Sequence, residues 1–179
     1  MRLSKASKIE LIASCDETRP HLLHPYLDVD AKVLVATDGH RMVKHPVTID
    51  DGDVSAFVSV DAIKAARKLA TKVEDLEINV GAKTLRLING MTMPTPQSDY
   101  PFPPYDKVIP NYSGRTTVTV CLDAKYLLEL CRALGGSAKD HTRVSLTFPI
   151  PDEGKVMLDP IVVEYGVSEA VAILMPSRT

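Results

Sequence analysis

The chain has 179 residues, of which 45% are hydrophobic and 25% are charged, and its formal net charge is −2. This length is sufficient for one large or two small domains with a buried core, and the composition is typical of a soluble globular protein. The charge excludes nucleic-acid binding that depends on a large overall positive charge. No apolar run is long enough to cross a membrane, and no signal-peptide pattern follows Met1. The three cysteines form no CxxC pair, which is typical of a reduced cytoplasmic protein.

The first segment, residues 1–50, is predicted to form a short helix followed by strands. Apolar residues at helical spacing after Ser4, a common N-cap residue, predict a helix from Lys5 to Ala13, although Ile9-Glu10-Leu11 also fits a strand. Pro20 ends this region, because proline disfavours helical backbone in the residue before it. Strands are predicted at Tyr26 to Asp28, Lys32 to Ala36 and Met42 to Thr48.

The second segment begins with a predicted strand from Ala56 to Ser59 and a helix from Ala62 to Thr71, with Asp61 as the expected N-cap. Six prolines between Met91 and Pro110 indicate an extended connector, because proline removes the backbone donors that a helix or a central strand requires. The expected core face of the helix is Ile63, Ala66, Leu69 and Ala70, and the strands that follow it are Leu76 to Val80 and Thr84 to Ile88.

The third segment repeats the second. A predicted strand from Thr117 to Cys121 precedes a helix from Ala124 to Leu134, which Gly135-Gly136 ends. Aligning Asp61-Ala62 with Asp123-Ala124 gives an internal repeat of about 60 residues, whose unit is a strand, a helix and antiparallel strands. The first segment is a third, degenerate copy without a clear opening strand, so the predicted fold class is α+β. The further strands are Arg143 to Phe148, Val156 to Leu158, Ile161 to Glu164 and Ala170 to Leu174.

The run from Val33 to Val43 contains the strongest turn signal. A β-branched apolar run, the pair Asp38-Gly39 and a second apolar run are typical of a β-hairpin, because glycine accepts the positive φ of a tight turn. His40 and Arg41 would lie at the mouth of this hairpin, where they could contact a ligand or be the solvated charges of a plain hairpin.

Three segments, in the same order, resemble the bacterial DNA polymerase III β sliding clamp family. Residues 36–42 resemble its ATDGHRL segment, residues 100–110 its FPDYxxVIP segment, and residues 173–179 its VVMPMRL tail. The resemblance implies a DNA-clamp fold of three βαβββ-like half-domains. Residues 1–112, divided into units 1–50 and 54–112, would correspond to the middle domain of the clamp, and residues 113–179 to its C-terminal end. Nothing in the chain resembles the first domain of the clamp.

Clamps hold DNA within a ring lined by helices, so the resemblance implies DNA-facing cations on the predicted helices. Phosphate contacts need only positive charge on one face and are independent of base sequence. The basic residues of the second helix lie opposite much of its apolar stripe, a pattern that also fits a solvated helix face. The implied DNA-facing residues are Lys5, Lys8, Lys64, Arg67, Lys68, Lys72, Lys125 and Arg132.

The resemblance also implies an apolar groove that receives a short peptide from a polymerase or a related factor, with ordinary packing between segments as the alternative. Methionine and aliphatic side chains form an adaptable apolar surface, and nearby His and Arg residues can fix a peptide backbone. Ser177 and Thr179 replace the family's Met and Leu, and Pro20-His21 replaces its Tyr-Tyr pair, which makes the groove more polar. The implied groove residues are Leu22, Thr37, Gly39, His40, Arg41, Met42, Pro103, Val108, Ile173, Met175, Pro176 and Arg178.

The function implied by the resemblance is a non-catalytic processivity factor whose partners are double-stranded DNA and a clamp-binding peptide. An odd half-domain leaves a sheet edge that proteins usually cover by assembly, so a homo-oligomer is expected. If the family's ring contains twelve half-domains, four such chains would be needed to close it. The alternative is a decoy or adaptor that binds clamp-binding peptides without encircling DNA.

No cofactor, metal or catalytic residue is expected. The histidines His21, His24, His40 and His45 match no standard metal-ligand spacing, so a small hydrolase that uses them is the poorer alternative. The sequence also contains no G-x-S-x-G motif and no glycine-rich phosphate loop.

Overall fold

The computed structural model describes residues 1–70, 75–113, 120–133, 144–147, 160–165 and 171–176. The chain divides into two units, Met1–Pro110 and Asn111–Thr179. Neither α-helix in these described ranges has the length and apolar character that crossing a bilayer requires.

The first unit consists of short strands, one α-helix and three 3₁₀ turns within its described residues. The strands and helix are β1 (Arg2–Ser4), β2 (Tyr26–Asp28), β3 (Val33–Thr37), β4 (Met42–Pro46), β5 (Ala56–Phe57), α1 (Val60–Leu69), β6 (Asp75–Val80), β7 (Thr84–Leu87) and β8 (Thr92–Pro94). The 3₁₀ turns are Ile9–Leu11, Pro20–Leu22 and Tyr105–Val108.

Two antiparallel sheets of the first unit have the strand orders β4-β3-β2-β5 and β1-β6-β7-β8. Each sheet combines three consecutive strands of one half with the opening strand of the other half. In the pairing of β1 with β6, Leu3 lies opposite Leu76, and in the pairing of β5 with β2, Ala56 lies opposite Leu27. The two halves therefore exchange their opening strands and share a core that contains residues of both.

The helix α1 begins earlier than the sequence pattern predicted. The Ser59 hydroxyl accepts hydrogen bonds from the backbone N–H groups of Asp61 (3.2 Å) and Ala62 (3.4 Å), so Ser59 is the N-cap and the prediction of Asp61 is wrong. The helix consequently buries Ala62, which was not predicted, and leaves the predicted core residue Leu69 38% exposed. The other predicted core residues, Ile63, Ala66 and Ala70, are buried.

The predicted helix from Lys5 to Ala13 is also wrong. The chain forms β1 and then the single 3₁₀ turn Ile9–Leu11. The carbonyl oxygens of Lys5 and Ser7 accept hydrogen bonds from the Arg67 guanidinium, both at 2.6 Å, so this segment is held by α1 and not by a helical ladder of its own. β1 is the opening strand that the sequence pattern did not reveal in the first segment.

The second unit has one α-helix and three strands in its described residues: α2 (Ala124–Ala133), β9 (Val144–Thr147), β10 (Ile161–Tyr165) and β11 (Val171–Leu174). The strands form an antiparallel sheet in the order β11-β10-β9. Its core contains Ile161, Val163 and Leu174, with Leu127 and Leu130 of α2 packed against them. Residues 117–119, Gly135-Gly136 and Val156 to Leu158, for which structure was predicted, lie outside the described residues.

Candidate functional site

The tip of the β3–β4 hairpin is fixed by a local network of hydrogen bonds. Asp38 Oδ1 accepts bonds from the backbone N–H groups of His40 (2.9 Å) and Arg41 (3.0 Å), and Asp38 Oδ2 pairs with Arg41 Nε at 2.9 Å. The Thr37 hydroxyl donates to the Arg41 carbonyl oxygen at 2.8 Å and accepts from the Gly39 N–H at 3.1 Å. The predicted turn at Asp38-Gly39 is therefore present, and it holds the backbone of His40 and Arg41 in place.

The Asp38 carboxylate remains charged well into acid. Desolvation acts to raise its pKa, but the hydrogen bonds from the His40 and Arg41 amides and from the Arg41 side chain outweigh it and lower the pKa to about 2. Because the pKa of Asp38 is lowered in the folded state, its ionised carboxylate stabilises the turn at pH values above the ordinary carboxyl pKa of about 4. The contribution is lost as pH falls from about 4 towards 2.

Gly39 is required by its backbone conformation and by a close neighbour. Its φ is +89°, in the left-handed region where side chains are strained. A Cβ atom at Gly39 would also lie 2.9 Å from Nη1 of Arg19, whose guanidinium is held by Asp16 at 3.0 Å. The hairpin tip therefore lies directly against the segment that leads into the turn Pro20–Leu22.

The proline-rich connector covers the outer face of the sheet that contains β3. Val33 and Val35 are buried against Tyr105, with Met42 and Phe102 packed around them. Strand β3 is thus covered on both faces, because its other side chains point into the main core.

Tyr105 attaches the connector to this sheet through its ring and its hydroxyl group. The hydroxyl donates to Asp28 Oδ2 at 2.8 Å, and Lys44 Nζ lies 5.0 Å from the ring centroid while pairing with Asp106 at 2.7 Å. Burial raises the pKa of Tyr105 well above its ordinary value, and the neighbouring Asp28 carboxylate raises it further. Tyr105 therefore stays protonated and keeps its hydrogen bond at any physiological pH.

A pocket of about 370 Å³ lies between the hairpin tip, the turn Pro20–Leu22 and the connector. Its wall brings together every groove residue that the sequence predicted in the first unit, namely Leu22, Thr37, Gly39, His40, Arg41, Met42, Pro103 and Val108. Three further lining residues, Pro104, Tyr105 and Lys107, were not predicted. Tyr105 has a sequence signal, since it is an aromatic residue within the matched connector segment, but its burial depends on contacts with β3 that are distant in sequence. We call this cavity the hairpin pocket.

The hairpin pocket is mainly apolar with cationic groups at its wall. Leucine, methionine, proline and valine side chains supply the apolar surface, and His40, Arg41 and Lys107 supply the polar groups. Arg41 is already committed, because its guanidinium pairs with Asp38 and donates to the Leu11 carbonyl oxygen at 3.2 Å. Such a pocket can hold an apolar side chain while a cation meets an acidic group or a carbonyl oxygen.

Three of the predicted groove residues of the tail line a pocket within the second unit. This pocket, of about 610 Å³, is lined by Tyr126, Glu129, Leu130, Ala133, Ile173, Leu174, Met175 and Pro176. Ile173 and Met175 are more than half exposed. Arg178, the remaining predicted residue, lies outside the described residues.

Two of the predicted DNA-facing cations are held by part-buried internal partners. Arg67 pairs in bidentate fashion with Glu10, with both N–O distances at 2.9 Å, and Lys5 Nζ donates to the carbonyl oxygen of Ala70 at the end of α1. Lys125 is exposed but pairs with Glu129 at 3.9 Å. Lys8, Lys64, Lys68 and Arg132 are exposed and have no ion pair within the described ranges, and Lys72 lies outside them.

The histidines do not assemble a metal site in the described part of the chain, where no three His, Cys, Asp or Glu residues form a group able to hold a metal ion. His21 and His24 each bury an Nδ1 atom that has no hydrogen-bond partner among the described residues. Burial lowers the pKa of His24, and the nearby Asp61 charge opposes that shift. His24 is therefore a neutral, packed side chain at neutral pH.

Sequence comparison finds no matching family model and no matching curated protein. Among solved structures, the β sliding clamp of C. crescentus matches with a TM-score of 0.69 and 20% identity, over 98% of this chain and 50% of the clamp. In that structure, polyethylene glycol is bound at a proposed β-motif tethering region. The DNA polymerase sliding clamp of Pseudomonas aeruginosa matches with a TM-score of 0.60 and 18% identity, over 100% of this chain and 66% of the clamp. DNA polymerase III subunit β of Borrelia burgdorferi, in complex with a natural product, matches with a TM-score of 0.59 and 16% identity. This match covers 100% of this chain and 62% of the subunit.

These matches confirm both the predicted α+β fold class and the resemblance to the clamp family: the chain has the fold of bacterial β sliding clamps. The chain spans between half and two thirds of the length of these clamps.

Proposed function

We propose that the protein is a non-catalytic, clamp-like processivity factor that binds a short peptide of a DNA polymerase or a related factor in the hairpin pocket. The observation that carries this proposal is the convergence of Leu22, the β3–β4 hairpin and the connector on one apolar cavity. These elements are distant in sequence, and the hairpin and the connector contribute residues of two segments that resemble the clamp family. The clamp-like fold supports the same function class.

The chemistry of the pocket indicates the kind of peptide. The volume of about 370 Å³ lies within the range of small-ligand sites, and apolar side chains of the peptide would be inserted against Leu22, Met42 and Val108. Lys107 is exposed at the pocket wall, where it suits an acidic residue or the terminal carboxylate of the peptide. The pocket of the second unit that Ile173, Met175 and Pro176 line is a further apolar surface.

Replacing Val108 with glutamate is expected to weaken binding of a labelled clamp-binding peptide by about tenfold or more, equivalent to about 1.4 kcal/mol. Val108 lines the pocket and is 68% exposed, so a glutamate at this position keeps its carboxylate in water in the folded protein. A bound peptide would cover the carboxylate and remove that water, which weakens binding. Ile109→Glu is the matched control, because Ile109 is the next residue, is also exposed and does not line the pocket. Fluorescence anisotropy measures both affinities; equal losses in the two variants would reject the hairpin pocket as the peptide site.

Double-stranded DNA is the second partner in this proposal. The exposed cations Lys8, Lys64 and Lys68 of the first unit, with Lys125 and Arg132 of the second, could contact phosphates without reading bases. Arg67 and Lys5 are left out of this set because they have internal partners. A homo-oligomer is part of the proposal.

A decoy or adaptor that binds clamp-binding peptides without DNA is the second candidate. The internal pairing of Arg67 and Lys5 favours it, because it removes two cations from the implied DNA-facing set. Duplex binding measured at a series of salt concentrations separates the two functions. A clamp-like factor should bind in low salt with an affinity that falls steeply as salt rises, whereas a decoy should bind peptide and show no affinity for duplex.

A further inference from the structure

A second cavity of the first unit, of about 470 Å³, is lined mainly by aromatic side chains. The whole chain has three phenylalanines, six tyrosines and no tryptophan. More than half of these aromatic residues line this one cavity, namely Tyr26, Phe57, Tyr100, Phe102 and Tyr105. We call it the aromatic pocket.

The rings of the aromatic pocket form one connected cluster that stays partly exposed. Tyr26 and Phe102 stack with their ring centroids 5.3 Å apart, and Phe57 meets both rings at a steep angle, at 5.5 and 6.2 Å. Tyr105 is buried, but Tyr26, Phe57 and Phe102 are only half-buried and Tyr100 is 61% exposed. Part of the ring surface is therefore accessible to a ligand.

The charged groups of the aromatic pocket are mainly acidic. Asp28 and Asp106 line it, with Lys107 as the cation. The oxygens of Asp28 accept one uncharged donor each, the Ala31 N–H at 3.0 Å and the Tyr105 hydroxyl at 2.8 Å. Because a carboxylate oxygen has two lone pairs, both oxygens of Asp28 can accept a further hydrogen bond from a ligand.

The same part of the first unit already holds one cation by a ring and a carboxylate. Lys44 Nζ lies 5.0 Å from the centroid of the Tyr105 ring and 2.7 Å from Asp106 Oδ1. The negative face of an aromatic ring attracts a cation within about 6 Å, and a neighbouring carboxylate adds a charge-assisted hydrogen bond. The aromatic pocket offers these two kinds of group to a ligand, with Asp28 as the carboxylate.

The aromatic pocket and the hairpin pocket share a wall of the connector but differ in charge. Both cavities are lined by Pro103, Pro104, Tyr105 and Lys107. The lining of the hairpin pocket contains Arg41, whereas that of the aromatic pocket contains two aspartates. A protein bound at one of these cavities therefore lies beside the other.

An arginine side chain fits the aromatic pocket best. Its planar guanidinium stacks on aromatic rings and donates two parallel hydrogen bonds to a carboxylate, whereas lysine presents only a point charge. A phosphate group would be repelled by the carboxylates, and a purely apolar side chain would cover Asp28 without replacing the water that its oxygens lose. Arginine is also among the residues that contribute most to binding at protein interfaces. We propose that the aromatic pocket binds an arginine side chain of a partner protein.

Titration of the ¹⁵N-labelled full chain with N-acetyl-arginine methylamide, followed through the amide chemical shifts, tests this site. N-acetyl-citrulline methylamide is the control ligand, because citrulline has the shape of arginine without its charge. The arginine compound should bind about fivefold more tightly or better, with shifts at residues 26–28, 56–57 and 98–107. Equal affinities for the two compounds, or no shifts in these segments, would overturn the proposal.

Two substitutions separate the contributions of the charge and the rings. Asp28→Asn removes the charge but keeps an oxygen that can accept the Tyr105 hydroxyl, and it should abolish the preference for arginine over citrulline. Phe57→Leu keeps an apolar side chain without the ring and should weaken arginine binding by about threefold. Asp30→Asn is the matched control and should retain the preference, since Asp30 is exposed and does not line the pocket.

The same spectra show whether each variant is folded. A folded Asp28→Asn variant that keeps the preference, or a folded Phe57→Leu variant with unchanged affinity, would contradict the proposal. The outcome is separate from the peptide binding proposed for the hairpin pocket. A chain that binds the arginine compound but no clamp-binding peptide would remove only the function of the hairpin pocket, and the reverse result would remove only the arginine site.

Discussion

Replacing Arg67 with alanine is expected to lower the free energy of unfolding by about 3–5 kcal/mol. The Arg67 guanidinium makes two hydrogen bonds to Glu10 at 2.9 Å and one each to the carbonyl oxygens of Lys5 and Ser7 at 2.6 Å. The Glu10 side chain is only 6% exposed, so the substitution would leave a buried carboxylate without its partner. Breaking one side of a buried ion pair is among the most destabilising changes available to a protein.

Denaturant unfolding of matched variants measures this loss. Lys68→Ala, at the adjacent exposed position, should change the stability by no more than about 0.5 kcal/mol. Arg67→Lys should be intermediate, because an ammonium group cannot reproduce the bidentate contact with Glu10. A loss below about 1 kcal/mol in Arg67→Ala would show that the ion pair is largely solvated and would return Arg67 to the set of cations available for DNA.

Replacing Asp53 with alanine is the second change expected to cost about 3–5 kcal/mol of folding stability. Asp53 is buried, and its Oδ2 lies 2.5 Å from the α-amino nitrogen of Met1, which is also fully buried. Its Oδ1 accepts the Val80 N–H at 2.8 Å, and Oδ2 accepts the Asp50 N–H at 2.9 Å. The carboxylate thus joins β6, the Asp50 turn and the start of the chain, and its removal leaves a buried ammonium group and two amides without this acceptor.

Thermal unfolding checks this expectation against two companion variants. Asp51→Ala removes an exposed carboxylate from the same turn and should leave the melting temperature nearly unchanged. Asp53→Asn preserves the shape but not the charge, so it should recover part of the loss through the bond from Val80. If Asp53→Ala melts at the same temperature as Asp51→Ala, the buried pair does not stabilise the fold.

The sequence predicted those elements whose signals are local. The hairpin at Asp38-Gly39 follows from a dipeptide that adopts positive φ, and Gly39 has a φ of +89°. The strand β6 follows from strict alternation, and its apolar residues at every second position are buried. In such elements the residues that decide the conformation are neighbours in the chain.

The failures arise where a distant residue decides the local structure. The segment from Lys5 to Ala13 has helical spacing, but its carbonyl oxygens bond to Arg67, which is about 60 residues away. The exchange of β1 and β5 between the two halves likewise depends on pairing across the unit. Ser59 was overlooked as a cap because Asp61, two residues later, is an equally good capping residue.

The candidate site was predictable only in part, since the pocket joins three segments. The resemblance to the clamp family indicated the hairpin residues and the connector residues Pro103 and Val108. It did not indicate Tyr105, whose position depends on its hydroxyl bond to Asp28 and on packing against β3. The residues Ile173, Met175 and Pro176 of the tail line a pocket of the second unit, and their part in the groove stays a prediction.

Hydrogen exchange of the full chain with and without a clamp-binding peptide tests most directly whether the hairpin pocket binds such a peptide. The proposal predicts slower exchange in the peptide complex at the amides of residues 37–42 and 105–108, since the peptide would cover both walls of the pocket. Val108→Glu should abolish this protection, and Ile109→Glu should retain it. Unchanged exchange in these two segments under saturating peptide, or protection confined to other parts of the chain, would contradict the proposed function.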